Sequence, residues 1–172
     1  MKLNTPLKIE DVDFRAQSVN KGGYVTILAY KNARVDMNRL DEVYGVDGWQ
    51  KKYELIDGKI FCSIGIYSDR LKEWIWKQDV GVESYAEKEK GQASDAFKRA
   101  GFNFGIGREL YDYPLIQVKL NDSEFDKNTF KATFNFKLKE WTWGSEFDEN
   151  GTLIKLAAKD QNKLVRFNWK KQ

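Results

Sequence analysis

The side chains that could do chemistry are concentrated in residues 90–114, KGQASDAFKRAGFNFGIGRELYDYP. In this stretch Lys98 and Arg99 stand next to each other among small residues, and glycines follow at positions 101, 105 and 107. Phosphate groups are bound by cations that project along one rigid edge. The two cations fit phosphate contact, but Asp95 lies four residues before Arg99, which is the spacing of an ordinary ion pair on a helix surface. Spacing alone leaves both interpretations open.

The glycines do not form a nucleotide-binding motif. The chain contains no G-x-x-x-x-G-K-[ST], and the spacing of Gly101, Gly105 and Gly107 is not G-x-G-x-x-G. In both motifs the glycines precede the helix, whereas these follow it and are typical of a helix end and a tight turn. We therefore expect no ATP and no other cofactor.

Catalytic and metal-binding residues are also scarce. The chain has no histidine, which excludes Ser-His-Asp and Cys-His catalysis as well as a Cys/His zinc site. No glutamate is followed two residues later by a lysine, a spacing often found in metal-dependent nucleases. Cys62 lies in an apolar strand pattern, which favours a small buried hydrophobe over a nucleophile. We expect no catalytic residue, no metal site and no enzymatic activity.

Length and composition indicate a globular protein. With 172 residues, 41% hydrophobic and 15% aromatic, the chain is long enough to bury a core and is predicted to form one domain. No apolar run reaches the roughly 20 residues of a membrane span, and the N-terminus lacks the apolar segment of a signal peptide. These features predict a cytoplasmic protein with no membrane partner.

Positive charge is concentrated towards the C-terminus. The chain carries a net charge of +3, yet residues 153–172 contain six lysines and arginines against one acid. The rest of the chain is therefore net negative. A local excess of this kind suggests an electrostatic binding surface.

The sequence pattern predicts an α+β fold. Asn32 can cap and Gly45 can end an amphipathic helix over residues 32–45, and Asp57-Gly58 is a strong hairpin signal. Residues 6–18 are expected to form a short helix. The remaining elements are strands at 22–30, 48–57, 59–68 and 72–83, a long helix at about 85–104, a short strand after Pro114 and a hairpin after residue 147.

This order reads β-α-β-β-β-α. We expect a three- to four-stranded antiparallel sheet packed by the long helix, plus a C-terminal β-hairpin extension. On that helix Ala93, Phe97, Ala100 and Phe104 share one stripe that can pack closely on a sheet. Aromatic residues occur in all predicted strands, where stacking with bases is possible but burial in the core is the commoner role.

Three stretches together resemble the conserved core of the Rad52-type single-strand annealing proteins. They are NARVDMNRLDEVYGVDGWQ at 32–50, the three-strand segment ending in DVGVES at 79–84, and KGQASDAFKRAGFNFGIGRELYD at 90–112. The likeness covers about residues 22–113 and is greatest to the short phage members, the Sak-like recombinases. Residues 115–172 form a basic extension with no counterpart.

The resemblance implies a function that the residues alone do not give. It implies that protomers assemble into rings or helical arrays, which hold single-stranded DNA in a basic groove and pair it with a complementary strand without ATP. It also suggests a phage exonuclease and a single-strand-binding protein as partners, in the cytoplasm of a bacterial host.

The resemblance further implies four DNA-contacting residues and leaves one candidate for a fifth. The family's groove arginine corresponds to Arg34, its Lys-Arg pair to Lys98 and Arg99, and an earlier lysine to Lys90. Another basic family position is occupied by Glu87, so that contact is either lost or supplied by Lys88.

Three alternatives to the annealing function remain: a passive single-strand-binding protein, a metal-dependent DNA-processing enzyme and an assembly module that does not bind DNA.

Overall fold

The computed structural model describes residues 2–82 and 88–172, except the side chains of residues 88–90. Its helices are α1 (Ala33–Tyr44) and α2 (Lys88–Asn103). Its strands are β1 (Asp13–Val19), β2 (Tyr24–Tyr30), β3 (Trp49–Ile56), β4 (Lys59–Ser68), β5 (Glu73–Val80), β6 (Ile116–Lys119), β7 (Phe125–Asp126), β8 (Lys131–Ala132), β9 (Thr142–Phe147), β10 (Leu153–Lys159) and β11 (Val165–Lys170). Short 3-10 helices occur at Ile9–Asp11, Arg108–Asp112 and Leu138–Glu140. The predicted α+β class is confirmed.

The chain forms two compact units. The first contains residues 1–7 and 31–108, and the second contains residues 8–30 and 109–172. The prediction of a single domain, with a core at 22–113 and an extension at 115–172, stays a prediction. None of the described helices is long and apolar enough to cross a membrane.

In the first unit, α2 packs on one face of the antiparallel sheet β3-β4-β5. Alternate residues of the central strand β4, Cys62 and Ile64, are fully buried in the same cluster as Ala96, Phe97 and Ala100 of α2. Small residues on the helix bring its backbone close to the sheet. Of the predicted stripe, Phe97 and Ala100 are buried in this cluster and Phe104 packs against it, but Ala96 is buried there instead of Ala93, which is half-buried. The interpretation of Cys62 as a buried hydrophobe is confirmed.

Local signals define the ends of these elements. The Asn32 side chain accepts a hydrogen bond of 2.9 Å from the backbone N–H of Arg34 and so caps α1. Gly45 ends this helix with a φ of 76°. The β3–β4 turn places Asp57 and Gly58 at φ values of 49° and 73°, as its type I′ geometry requires.

In the second unit, two three-stranded antiparallel sheets share a core. One has the order β1-β2-β6 and the other β11-β10-β9. Their buried residues include Val25 and Ile27 of β2, Ile116 of β6, and Leu153 and Leu156 of β10. Strand β2 thus pairs with β1 and β6 instead of joining β3-β4-β5. The C-terminal strands β10 and β11 pair with each other, and β9 extends them into a sheet.

The short helix expected over residues 6–18 is wrong. Residues 13–19 form β1, whose backbone pairs antiparallel with β2 from Asp13↔Tyr30 to Val19↔Val25. Only residues 9–11 make a helical turn, of the 3-10 type. Pairing with β2 prevails over a weak local helical pattern, because it supplies a partner for the backbone of the whole segment.

The close approach of β5 and α2 gives a stability prediction. A Cβ at Gly81 would fall inside van der Waals contact with the backbone carbonyl oxygen of Gln92 on α2. We expect Gly81→Ala to push the helix from the sheet and lower the free energy of unfolding by about 1–3 kcal/mol.

Gly144 in β9 provides the matched control, since a Cβ there would meet no atom within 4 Å. Urea denaturation measures both variants. Equal stability of Gly81→Ala and Gly144→Ala would contradict the close packing of α2.

Candidate nucleic-acid interface

Lys98 and Arg99 lie on the flank of α2, beside its buried stripe. Their neighbours Phe97 and Ala100 are 1% and 0% exposed, whereas both cations are half-buried. The backbone that carries the two charges is therefore held by core packing. The structure places this pair on a rigid helix edge, as phosphate contact requires.

Asp95 orients Arg99. The Arg99 Nε donates a hydrogen bond of 2.7 Å to Asp95 Oδ2, and the side chains remain 40% and 28% exposed. The same carboxylate oxygen accepts a hydrogen bond of 3.0 Å from the backbone N–H of Val82, just after β5. The ordinary helix ion pair considered above thus exists, and it is also fixed to the sheet. It positions the guanidinium without removing it from solvent.

A buried ion pair lies behind Lys98. Lys31 Nζ donates to Asp36 Oδ1, and the two side chains are 1% and 0% exposed. The same ammonium is 3.5 Å from the backbone carbonyl oxygen of Lys98 and 4.2 Å from the ring centroid of Phe102. This pair therefore connects the first turn of α1 with the last turns of α2.

The environment of Asp36 changes its acidity. Burial raises the pKa of the Asp36 carboxyl to about 6, although the charges of Lys31 and Lys98 act in the opposite direction. No donor among the described residues reaches Asp36 Oδ2.

Two basic side chains satisfy the C-terminal carbonyls of α2. Lys77 Nζ donates to the carbonyl oxygen of Asn103 at 2.6 Å, and Arg108 Nη2 donates to that of Phe102 at 2.7 Å. A helix C-terminus carries partial negative charge and unpaired carbonyls, so cations stabilise it. Lys77 and Arg108 therefore have a structural role at the C-terminal end of α2, the helix that carries Lys98 and Arg99.

The other predicted DNA contacts are distributed over both helices. Arg34 is exposed in the first turn of α1, two residues before Asp36. Lys88 and Lys90 belong to the first turn of α2, but their side chains lie outside the description, and Glu87 lies outside the described residues. The DNA contacts of all five predicted residues stay predictions.

The C-terminal positive charge is partly used inside the second unit. Arg166 forms ion pairs of 2.7 Å with Glu124 and 3.3 Å with Asp160, and Lys155 pairs with Glu146 at 2.7 Å. Burial alone would raise the pKa of Glu124, but the hydrogen bond from Arg166 helps to hold it below the usual value. Arg166 is therefore a structural cation.

Sequence reasoning missed the residues that organise the interface. Lys31, Asp36, Lys77 and Arg108 are ordinary charged residues in the sequence. A signal exists for Asp36, since an acid in the first turn of a capped helix is common. That signal does not reveal the burial of Asp36, which depends on a glycine far away in the sequence, since a Cβ at Gly101 would collide with Asp36 Oδ1.

Comparison with known proteins gives two kinds of match. The family model described as Rad52/22 family double-strand break repair protein matches residues 1–63 and 54–129. The protein described as single-stranded DNA-binding protein DdrA from Deinococcus deserti is 34% identical over 135 residues, covering 72% of this chain and 65% of that protein. Its namesake from Deinococcus radiodurans is 32% identical over 117 residues, covering 66% of this chain and 54% of that protein. The chain thus spans less than two thirds of the length of either relative.

The raised pKa of Asp36 predicts a pH dependence of stability. Between about pH 4 and pH 6 the folded protein keeps a proton that the unfolded chain releases. The stabilising effect of this group is complete below about pH 4 and is lost as the pH rises through about 6. We expect the NMR signal of the Asp36 carboxyl carbon to titrate with a midpoint near 6.

Urea denaturation of a double variant supplies the control. The variant Lys31→Met/Asp36→Leu removes both buried charges. The free energy of unfolding of wild type, measured relative to that of this variant, should fall from pH 4 to pH 6. A carboxyl midpoint near 4, or a difference in stability that does not change with pH, would contradict the burial of this pair.

Proposed function

This chain belongs to the Rad52/22 family of double-strand break repair proteins, and from that premise we propose that it binds single-stranded DNA and anneals complementary strands without ATP. The observation that carries the proposal is the Lys98–Arg99 pair on the edge of α2. Core packing holds this pair on one side, and Asp95 holds Arg99 on the other. The names of the DdrA relatives support single-stranded DNA as the ligand.

The proposed mechanism separates backbone binding from base pairing. Phosphate contacts carry no sequence information, so cations can hold any strand. A strand held by its backbone keeps its base edges available to a complementary strand. Base pairing then supplies the free energy for annealing, which makes nucleotide hydrolysis unnecessary. Arg34, Lys98 and Arg99 would hold the backbone, with Lys88 and Lys90 extending the basic edge along α2.

We propose that several protomers act together. A single helix edge contacts only a few phosphates, whereas a ring or helical array keeps a longer strand extended and unpaired with itself. Further partners would be an exonuclease that exposes single strands and a single-strand-binding protein that releases them. This function places the protein inside the cell, in the cytoplasm of a bacterial host if a phage encodes it. The likeness to the short phage members also stays a prediction.

A passive single-strand-binding protein is the second candidate, and the names of the DdrA relatives favour it. Such a protein would cover a strand without accelerating its pairing. We propose in addition that the chain does not cleave DNA. Incubation of labelled single strands with the protein and Mg²⁺ or Mn²⁺ tests this, and cut products would contradict it.

Removal of the helix cations gives the main prediction for binding. On single strands the log of the affinity falls with the log of the salt concentration by about 0.7 per neutralised phosphate. We expect Lys98→Gln/Arg99→Gln to weaken binding of an oligothymidine and to flatten this slope by about 1.4 if each residue contacts one phosphate. Fluorescence anisotropy over a series of NaCl concentrations measures both quantities.

The control is Lys59→Gln/Lys72→Gln, which removes two exposed charges from the hairpin ends of the first-unit sheet. This variant should keep the wild-type slope. If the Lys98/Arg99 variant also keeps it, the pair does not belong to the DNA site.

A further inference from the structure

A second basic and aromatic surface lies entirely within the second unit. Two consecutive grooves follow β1 and share Ala16 as a lining residue. The larger one has a volume of about 460 Å³ and lies between residues 14–16 and residues 136–140. The smaller one has a volume of about 370 Å³ and lies between residues 16–19 and residues 129–132. We call these two grooves together the β1 trough.

The β1 trough carries an excess of positive charge. Its lining residues include the cations Arg15, Lys131, Lys137 and Lys139 and one acid, Glu140. Lys137 Nζ lies 3.5 Å from Glu140 Oε1, so the charges of these two residues cancel. Among the described residues, Lys131 and Lys139 form no ion pair, and both are exposed. Three cations thus remain along the trough to attract an anion.

Aromatic rings accompany these cations. The Arg15 guanidinium lies 5.4 Å from the centroid of the Tyr30 ring, which is 37% exposed. Phe136 packs edge-on against Trp141 at 5.6 Å and lines the larger groove, while Phe130 lines the smaller groove and is 42% exposed. A ligand that suits this lining has both negative charge and flat apolar groups.

We propose that the β1 trough is a second contact site for single-stranded DNA. Phosphates would lie against Arg15, Lys131 and Lys139, and a base would stack on Tyr30. Each groove contains both a cation and an aromatic ring, and charge neutralisation and stacking on aromatic residues are the two ways of binding single strands without sequence preference. This inference rests on the proposed function, since it assumes that single-stranded DNA is a ligand of the chain.

Both walls of the β1 trough are formed by residues of the second unit, and one of them lies beyond the match to the family model. The segment 136–140, which forms one wall, follows residue 129, where the match to the family model ends. Strand β1 forms the other wall, and its place at the side of the sheet β1-β2-β6 leaves it accessible. The position of the wall at 136–140 is fixed by Leu138, which is 8% exposed and belongs to the second-unit core.

An extended acidic peptide is the competing occupant. Its carboxylates could pair with the same cations, but its affinity would not depend on stacking against the Tyr30 ring. The contribution of this ring therefore distinguishes the two ligands. Comparison of Tyr30→Ala with Tyr30→Phe, which keeps the ring, measures that contribution.

The experiment combines charge and ring variants of the full chain. Anisotropy of a labelled 30-nucleotide oligothymidine is followed over a series of NaCl concentrations for wild type, Lys131→Gln/Lys139→Gln, Tyr30→Ala and Tyr30→Phe. The control is Lys59→Gln/Lys72→Gln, and thermal unfolding shows whether each variant is folded.

We expect the Lys131/Lys139 variant to flatten the salt slope by about 1.4 and the control to leave it unchanged. Tyr30→Ala should weaken binding about tenfold, while Tyr30→Phe should bind almost as wild type does. An oligonucleotide containing 4-thiothymidine should form photo-crosslinks within residues 14–19, residue 30 or residues 129–140. Should Tyr30→Ala unfold, the crosslinks and the lysine variant decide the question.

Three results would overturn the proposal. If wild type binds DNA and all trough variants bind equally well without crosslinks there, the trough is not a DNA site, although the proposed function stands. If a labelled hexaglutamate peptide binds wild type but not Lys131→Gln/Lys139→Gln, while DNA binding is unchanged, the trough is a peptide site. If wild type does not bind single-stranded DNA at all, both the proposed function and this inference are wrong.

Discussion

The buried ion pair of Lys31 and Asp36 is the constraint around which the first unit is built. Burying two charges is costly unless they are paired with good geometry, and removing one partner would leave the other uncompensated. The pair has space only because Gly101 and Gly107 carry no side chains at the points where Asp36 and Lys31 pass. Lys31 also contacts the carbonyl oxygen of Lys98. The start of α1 and the end of α2 are therefore fixed to each other, together with the cations they carry.

This arrangement explains how a chain of small net charge can present two cations on a fixed helix edge. The small residues Ala96 and Ala100 let α2 approach the sheet, and the contact of Asp95 with Val82 fixes the flank of the helix to the end of β5. Cations held on a fixed backbone lose less conformational entropy on binding than cations on a mobile segment. Because phosphate contacts ignore base identity, an edge that binds DNA in the proposed way would accept any single strand. That property is what strand annealing requires.

Much of the first unit could be predicted from local sequence. The Asn32 cap, the Asp57-Gly58 turn and the stripe of α2 depend on neighbouring residues only. The position of Lys98 and Arg99 on the helix flank follows from the same stripe. What could not be predicted depends on distant partners. Strand β2 pairs with β6 about ninety residues later, and β1 overrides a weak helical pattern. Arg166 is half-buried and pairs with Glu124, which lies 42 residues before it. The burial of Lys31 and Asp36 likewise needs glycines from another part of the chain.

The central claim is that this protein accelerates the pairing of complementary strands, and it can be tested directly. Two complementary labelled oligonucleotides are mixed with the purified protein in the absence of nucleotide, and pairing is followed by fluorescence energy transfer at several salt concentrations. The account predicts that pairing is faster than the spontaneous reaction, and that this acceleration is lost at high salt and in Lys98→Gln/Arg99→Gln. Tight binding of both strands without any acceleration would contradict it and would show a passive single-strand-binding protein.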